Sequence, residues 1–206
     1  IGGLIAGLAV MLILPDWQGR RLSSVVANTL TCNSVYLRQI ITQYAQGKRD
    51  DLNYRLARRN AHNADAALST TLANMLMEPG HFRKDADIGF RFLVLSHTLL
   101  SYLSGLGAHR GESLLAPEQT HLLDDASSIA DSLEEIAGHL RAKTRVPIHS
   151  DSEEQLAQSL EQVSEDLDDQ QRLVQTQLAL ICRQLGPLRT LAAHLLKPPK
   201  NQTAET

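Results

Sequence analysis

The sequence predicts an all-α protein: the end of a transmembrane helix followed by an antiparallel bundle of about five long cytoplasmic helices. Three observations carry this. Aromatic residues make up only 4% of the 206 residues while Leu and Ala abound, a composition that favours helices over sheets. Apolar residues recur at steps of three and four through most of the chain, with no alternating strand pattern. The first 14 residues carry no charge at all, whereas the remainder is richly charged.

The opening stretch, LAVMLILPDWQGRRL after a Gly-rich start, has the character of a membrane exit. Fourteen apolar residues are fewer than the roughly 20 needed to cross a bilayer, so residues 1–16 read as the C-terminal end of a span that starts upstream. Pro15 and Asp16 mark a boundary, Trp17 offers an amphipathic ring suited to the headgroup zone, and Arg20 and Arg21 follow at once. Positive residues flanking a span favour the cytoplasmic side, which puts the bundle, residues 17–196, in the cytoplasm. Trp17, Arg20 and Arg21 are the expected membrane-interface residues. Gly3 and Gly7 form a small-residue step that would let another membrane helix approach.

The first bundle helix carries Leu22, Val26, Leu30, Leu37, Ile40 and Tyr44 on one face and ends at Gly47, a helix-terminating residue. A charged turn, residues 48–51, leads to a second helix from Leu52 to Met77 with a seam of Ala57, Ala61, Ala64, Leu68, Leu72 and Met75, stopped by Pro79-Gly80. Small seam residues imply a close neighbour. The third helix, Asp85 to Ala108, is the most apolar of the body and long enough to be a span by hydropathy alone. Arg91, His97 and several hydroxyls speak against lipid, so it reads as the central bundle helix. Pro117 suits the first turn of a fourth helix carrying Leu122, Ile129, Leu133, Ile136 and Leu140. After the loop TRVPIHSD, Ser150 and Glu153 have capping-box spacing at the start of one long helix. Its stripe of Leu156, Leu160, Val163, Leu167, Val174, Leu178, Ile181 and Leu185 approaches a heptad seam. Gly186-Pro187 should kink or interrupt it, and Arg183, Arg189 and Lys197 suit its C-terminal dipole. Residues 197–206 form a polar, Pro-containing tail with the composition of disorder.

Little here points to catalysis. There is no phosphate-cradling Gly loop, no nucleophile elbow and no zinc-protease motif, and the chain reads as a non-enzyme without a cofactor. Cys32 and Cys182 lie in helical patterns without metal spacing and read as reduced, packed thiols. His121 with Asp124 and Asp125, or Glu135 with His139, give two-ligand pairs that a solvated helix face explains equally well. A net charge of -3 gives no reason to expect nucleic acid. The densest polar segment is YRLARRNAHNAD, Tyr54 to Asp65. Arg58, His62 and Asp65 stand at helical steps with Arg59 alongside, a candidate polar or anion-binding network; a solvated face opposite the alanine seam is the plainer alternative.

Two stretches together, LPDWQGRRL and YRLARRNAHNADAALSTTLANMLMEPG, resemble the YccS-like branch of the fusaric-acid-resistance (FUSC) family of bacterial inner-membrane proteins. The resemblance implies two membrane blocks in the whole protein, of which this chain is the C-terminal end, and export of aromatic or other organic acids. It draws attention to Arg58, Arg59, His62 and Asp65 without assigning them a role. The expected function is therefore packing, assembly or gating in an inner-membrane transporter. A membrane-anchored scaffold or signalling bundle, binding a protein partner through the late heptad-like helix, is the alternative. Expected partners are the lipid bilayer at the N-terminal segment, other membrane helices of the same protein and, in a homo-oligomer, further copies of the chain.

Overall fold

In the computed structural model, the backbone is described for residues 2–47, 51–77, 83–110, 120–163 and 167–196, and the side chains of residues 2–20, 83–85 and 120 lie outside the described set. The described residues form helices and no strand: α1 (Gly2–Gln46), α2 (Leu52–Leu76), α3 (Arg83–Ala108), α4 (Thr120–Ala142), α5 (Asp151–Glu161), α6 (Asp169–Arg183) and α7 (Leu185–Leu195). The helical bundle that the periodicity predicts is the observed fold.

The middle of the bundle is α1, which lies chiefly against α2 on one flank and α4 on the other and also touches α3. Its expected stripe, Leu22 to Tyr44, is buried throughout. Burial extends around the helix to Ala27, Thr29, Ser34 and Tyr36 because both flanks are covered. The alanine seam of α2 allows the close approach. Ala57, Ala61 and Ala64 are all buried, and Thr29 Oγ1 of α1 reaches the Ala64 carbonyl at 3.4 Å while also bonding Val25 O of its own helix. On the opposite flank Ser34 Oγ donates to the carbonyl of Ala130 on α4 at 2.8 Å. A hydroxyl on a side chain as short as Ser or Thr can reach a neighbour's backbone only where the two helices approach closely. α3 closes the other side against α2, α6 and α7, with Phe92, Leu99, Leu103 and Leu106 buried.

Helix ends follow local chemistry. Gly47 ends α1 in the left-handed region at φ 84°, where a side chain would be strained. Asp51 caps α2 by accepting the Asn53 N–H at 2.9 Å. α4 ends at Lys143, φ 55°, in a Schellman turn: the Thr144 N–H reaches the His139 carbonyl at 3.0 Å, and Thr144 Oγ1 meets His139 Nδ1 at 2.7 Å.

Three expectations are corrected. First, α1 runs on through Pro15, Asp16 and Trp17 with no break, so the apolar segment and the first bundle helix are one element, although proline removes a helical hydrogen bond. Among the described residues no helix is long and apolar enough to cross a membrane. Second, the single long last helix is three helices. α5 ends at Glu161, and the buried Gln175 amide of α6 donates to the Leu160 and Gln162 carbonyls at 3.0 and 3.3 Å, closing that end. The second break, the interruption expected near Gly186-Pro187, falls at Gln184, so Pro187 sits in the first turn of α7, where its missing N–H costs nothing. The heptad-like stripe is folded back on itself, and Leu160, Val174, Leu178, Ile181 and Leu185 are core. Third, the capping box lies at Asp168 and Gln171, which start α6, rather than at Ser150, whose side chain makes no cap bond. Pro117 and the tail, residues 197–206, lie outside the described residues.

Candidate functional site

The ARRNAH segment occupies the first turns of α2. Arg55, Arg58, Arg59 and His62 stand at i, i+3, i+4 and i+7 and are all exposed along one stripe. With Tyr54, Asp51 and Arg110, which follows α3, they line a cleft of about 570 Å³. Its floor is aromatic. The buried Tyr54 ring meets Tyr36 of α1 at 5.7 Å between centroids, and the two hydroxyls are 3.3 Å apart. Burial, followed by the bond to Tyr54, raises the Tyr36 pKa well above the usual phenol range, while nearby Arg58 works the other way. Arg110 lies over the Tyr54 ring, 3.9 Å from its centroid, and is pinned by a 2.6 Å bond to the Gly107 carbonyl. Gly107 is required there, because a Cβ would come within 2.7 Å of the Tyr54 hydroxyl and 3.0 Å of that of Tyr36.

Asp65 does not join this cluster. It is 6% exposed and turns to α3, where Ser96 Oγ donates to Oδ1 at 2.6 Å and His97 Nδ1 lies 2.5 Å from Oδ2. The four expected residues are thus divided: Arg58, Arg59 and His62 face the cleft, and Asp65 ties α2 to α3. Of the expected interface residues, Arg21 is exposed on α1, and the side chains of Trp17 and Arg20 lie outside the described residues.

Compared with known proteins, the chain is 36% identical over 200 residues to the inner membrane protein YccS of Escherichia coli, a match covering 97% of the chain and 27% of YccS. The chain is a relative of YccS. An uncharacterised protein of Haemophilus influenzae is 48% identical over 110 residues, 53% of the chain and 15% of that protein. An uncharacterised protein of Neisseria gonorrhoeae, ORF2, is 34% identical over 108 residues, 52% of the chain and 26% of its own length. The chain therefore spans about a quarter of YccS. No family model and no solved structure matches it.

In this YccS relative the strongest buried ionic group is one that sequence reasoning missed. Arg189 of α7 is 2% exposed and holds Glu153 of α5 through Nε and Nη2, with Nη2 to Oε1 at 2.6 Å. Nη2 also donates to Glu135 of α4 at 2.9 Å. Burial alone would lower the Arg189 pKa, but its bonds to the two carboxylates outweigh that and raise it; Arg189 in turn lowers that of Glu135. So Arg189 is no solvated dipole partner, and Glu153 is no cap. Beside it, Arg183 at the end of α6 grips Glu154 at 2.7 Å and Glu161 at 2.6 Å, fastening α6 to α5.

The remaining candidates are placed apart. Both cysteines are free. Burial pushes the Cys182 thiol up to about 12, and its Sγ points to the Glu153 carbonyl at 3.5 Å. His139 lies 3.5 Å from Glu135, and burial raises the Asp125 pKa against the pull of His121. Among the described residues no three His, Cys, Asp or Glu side chains converge as a metal site would require.

Proposed function

We propose that this chain is the terminal, cytoplasmic helical bundle of an inner-membrane exporter of the FUSC type, moving aromatic or other organic acids, and that its non-enzymatic role is to couple bundle packing to the adjoining membrane segment. The observation that carries the reading is the continuity of α1. The same helix bears the uncharged residues 2–14 and the buried stripe from Leu22 to Tyr44. At about 1.5 Å per residue it is a rod roughly 68 Å long, so a change of tilt at one end reaches the core at the other without a joint to absorb it. Similarity to YccS, which is named an inner membrane protein, supports the membrane setting. The arginines after Trp17 support the cytoplasmic side.

The anchored scaffold is the weaker reading, since the late stripe that would receive a partner is occupied by the bundle itself. Inserting a flexible Gly-Ser-Gly-Ser segment after Trp17 in the full-length protein should abolish efflux of an aromatic acid from cells while membrane levels of the protein hold. Undiminished efflux would sink the coupling role.

A further inference from the structure

We propose that the arginine-lined cleft binds a small, soluble anion of the phosphate type carrying two or more negative charges. The site itself stands without the transport reading, and only the choice of a soluble source rests on the membrane placement proposed above; the starting point is a contrast among the arginines. Arg38, Arg91, Arg141, Arg183 and Arg189 each have a carboxylate partner, on Asp131, Asp87, Glu134, Glu154 and Glu153 respectively. Arg58 and Arg59 have none among the described residues, yet they stand side by side over a concave surface.

Their charge is not answered locally. α2 has no acidic residue in its first turn. Arg58 and Arg59 put two guanidinium groups side by side on the exposed face beyond that turn, and Arg110 adds another from across the cleft. Asp51, the carboxylate that lines the cleft, accepts the Asn53 N–H as the cap. Like charges gathered on one concave surface attract an anion.

The arrangement is also prepared for one. Arg110 is held by the Gly107 carbonyl and the Tyr54 ring, so little side-chain freedom is lost on binding. Its Nε is buried without a partner among the described residues. Guanidinium forks match the oxygens of a phosphate two at a time, and about 570 Å³ lies in the range of small-ligand sites.

The same chemistry is presented by soluble phosphates and by lipid headgroups, and position favours the former. Tyr54 meets Tyr36 of α1, 15 residues beyond Arg21, which is roughly 22 Å along the helix axis. With the membrane surface at Trp17 to Arg21, as proposed above, headgroups are out of reach.

The test titrates sodium pyrophosphate into the 206-residue chain by calorimetry, with co-sedimentation on phosphatidylglycerol vesicles as the second arm. The expected result is one saturable site, weakened at least tenfold by Arg58→Ala with Arg59→Ala, weakened several-fold by Lys at both positions, and unchanged by Arg145→Ala in the exposed α4–α5 loop. Both arginines are exposed, and circular dichroism confirms that the variants are folded. No saturable binding, or binding indifferent to the double substitution, overturns the proposal. Vesicle binding that depends on Arg58 and Arg59, without pyrophosphate binding, overturns the soluble source.

Discussion

Replacing Glu153 by Gln should be among the most damaging conservative changes in the bundle. It leaves the Arg189 guanidinium in place, 2% exposed, and removes the carboxylate that faces two of its nitrogens. Breaking one side of a buried ion pair costs about 3–5 kcal/mol. Glu135 remains as a second partner, but its side chain is 49% exposed and water already screens it, so the loss belongs near the lower end, about 3 kcal/mol. At about 2–4 °C per kcal/mol for a domain of this size, the melting point falls by roughly 6–12 °C. The double change Glu153→Leu with Arg189→Met removes both charges together and should recover most of the loss, since apolar replacement of a buried pair is often neutral. Urea titrations followed by helical circular dichroism measure both. A single-variant loss below about 1 kcal/mol, which is what an exposed pair is worth, would show that Arg189 escapes to solvent, and the reasoning from burial would fail.

Three further outcomes are expected. Bonds to Arg189 lower the Glu135 pKa, and bonds to Arg183 lower those of Glu154 and Glu161. The unfolded chain therefore binds more protons, and stability is full above the ordinary Glu value of about 4.3 and lost as pH falls through the depressed folded values; melting points should drop below about pH 4, and Arg183→Gln should flatten that drop. Glycine substitutions should separate by site. A Cβ at Gly138 meets nothing within 4 Å, so Gly138→Ala should stabilise α4 by roughly 0.5–1 kcal/mol, whereas Gly107→Ala should cost about 1–3 kcal/mol by overpacking the tyrosine pair, both read by thermal unfolding. Cys182, with its thiol raised to about 12 by burial, should resist a disulfide reagent at pH 8 until the chain is unfolded; rapid labelling in the native chain would contradict its burial.

Much of this was legible. The alanine seam of α2 and the Leu22–Tyr44 stripe stand out because periodicity reports which face is covered, and both are buried as the spacing requires. The densest polar segment, Tyr54 to Asp65, was also legible as a place of interest. What periodicity cannot report is the direction in which a charged side chain near the rim of a stripe turns. Asp65 sits one position beyond the buried Ala64, close enough to the seam to reach Ser96 and His97, and only the position of α3 decides that it does. Arg189, in the run LRTLAAHL, looks like an ordinary C-terminal charge. Its burial depends on Glu135 and Glu153 arriving from two other helices, a fact of tertiary structure with no local signal. Arg110 was missed for the same reason, since its role depends on Tyr54, far away in sequence. The break between α5 and α6 was hidden because the apolar spacing continues across it, while Asp168 was available as a cap and was overlooked.

The two hydroxyl contacts on either flank of α1 restrict how that helix can move. A slip of one residue, about 1.5 Å along the axis, would carry Ser34 away from the Ala130 carbonyl on one side and Thr29 from the Ala64 carbonyl on the other, and would drag a Cβ into each tight alanine contact. α1 is thus in register with both neighbours, and sliding along its axis costs these contacts, whereas a lean shared with α2 and α4 keeps them.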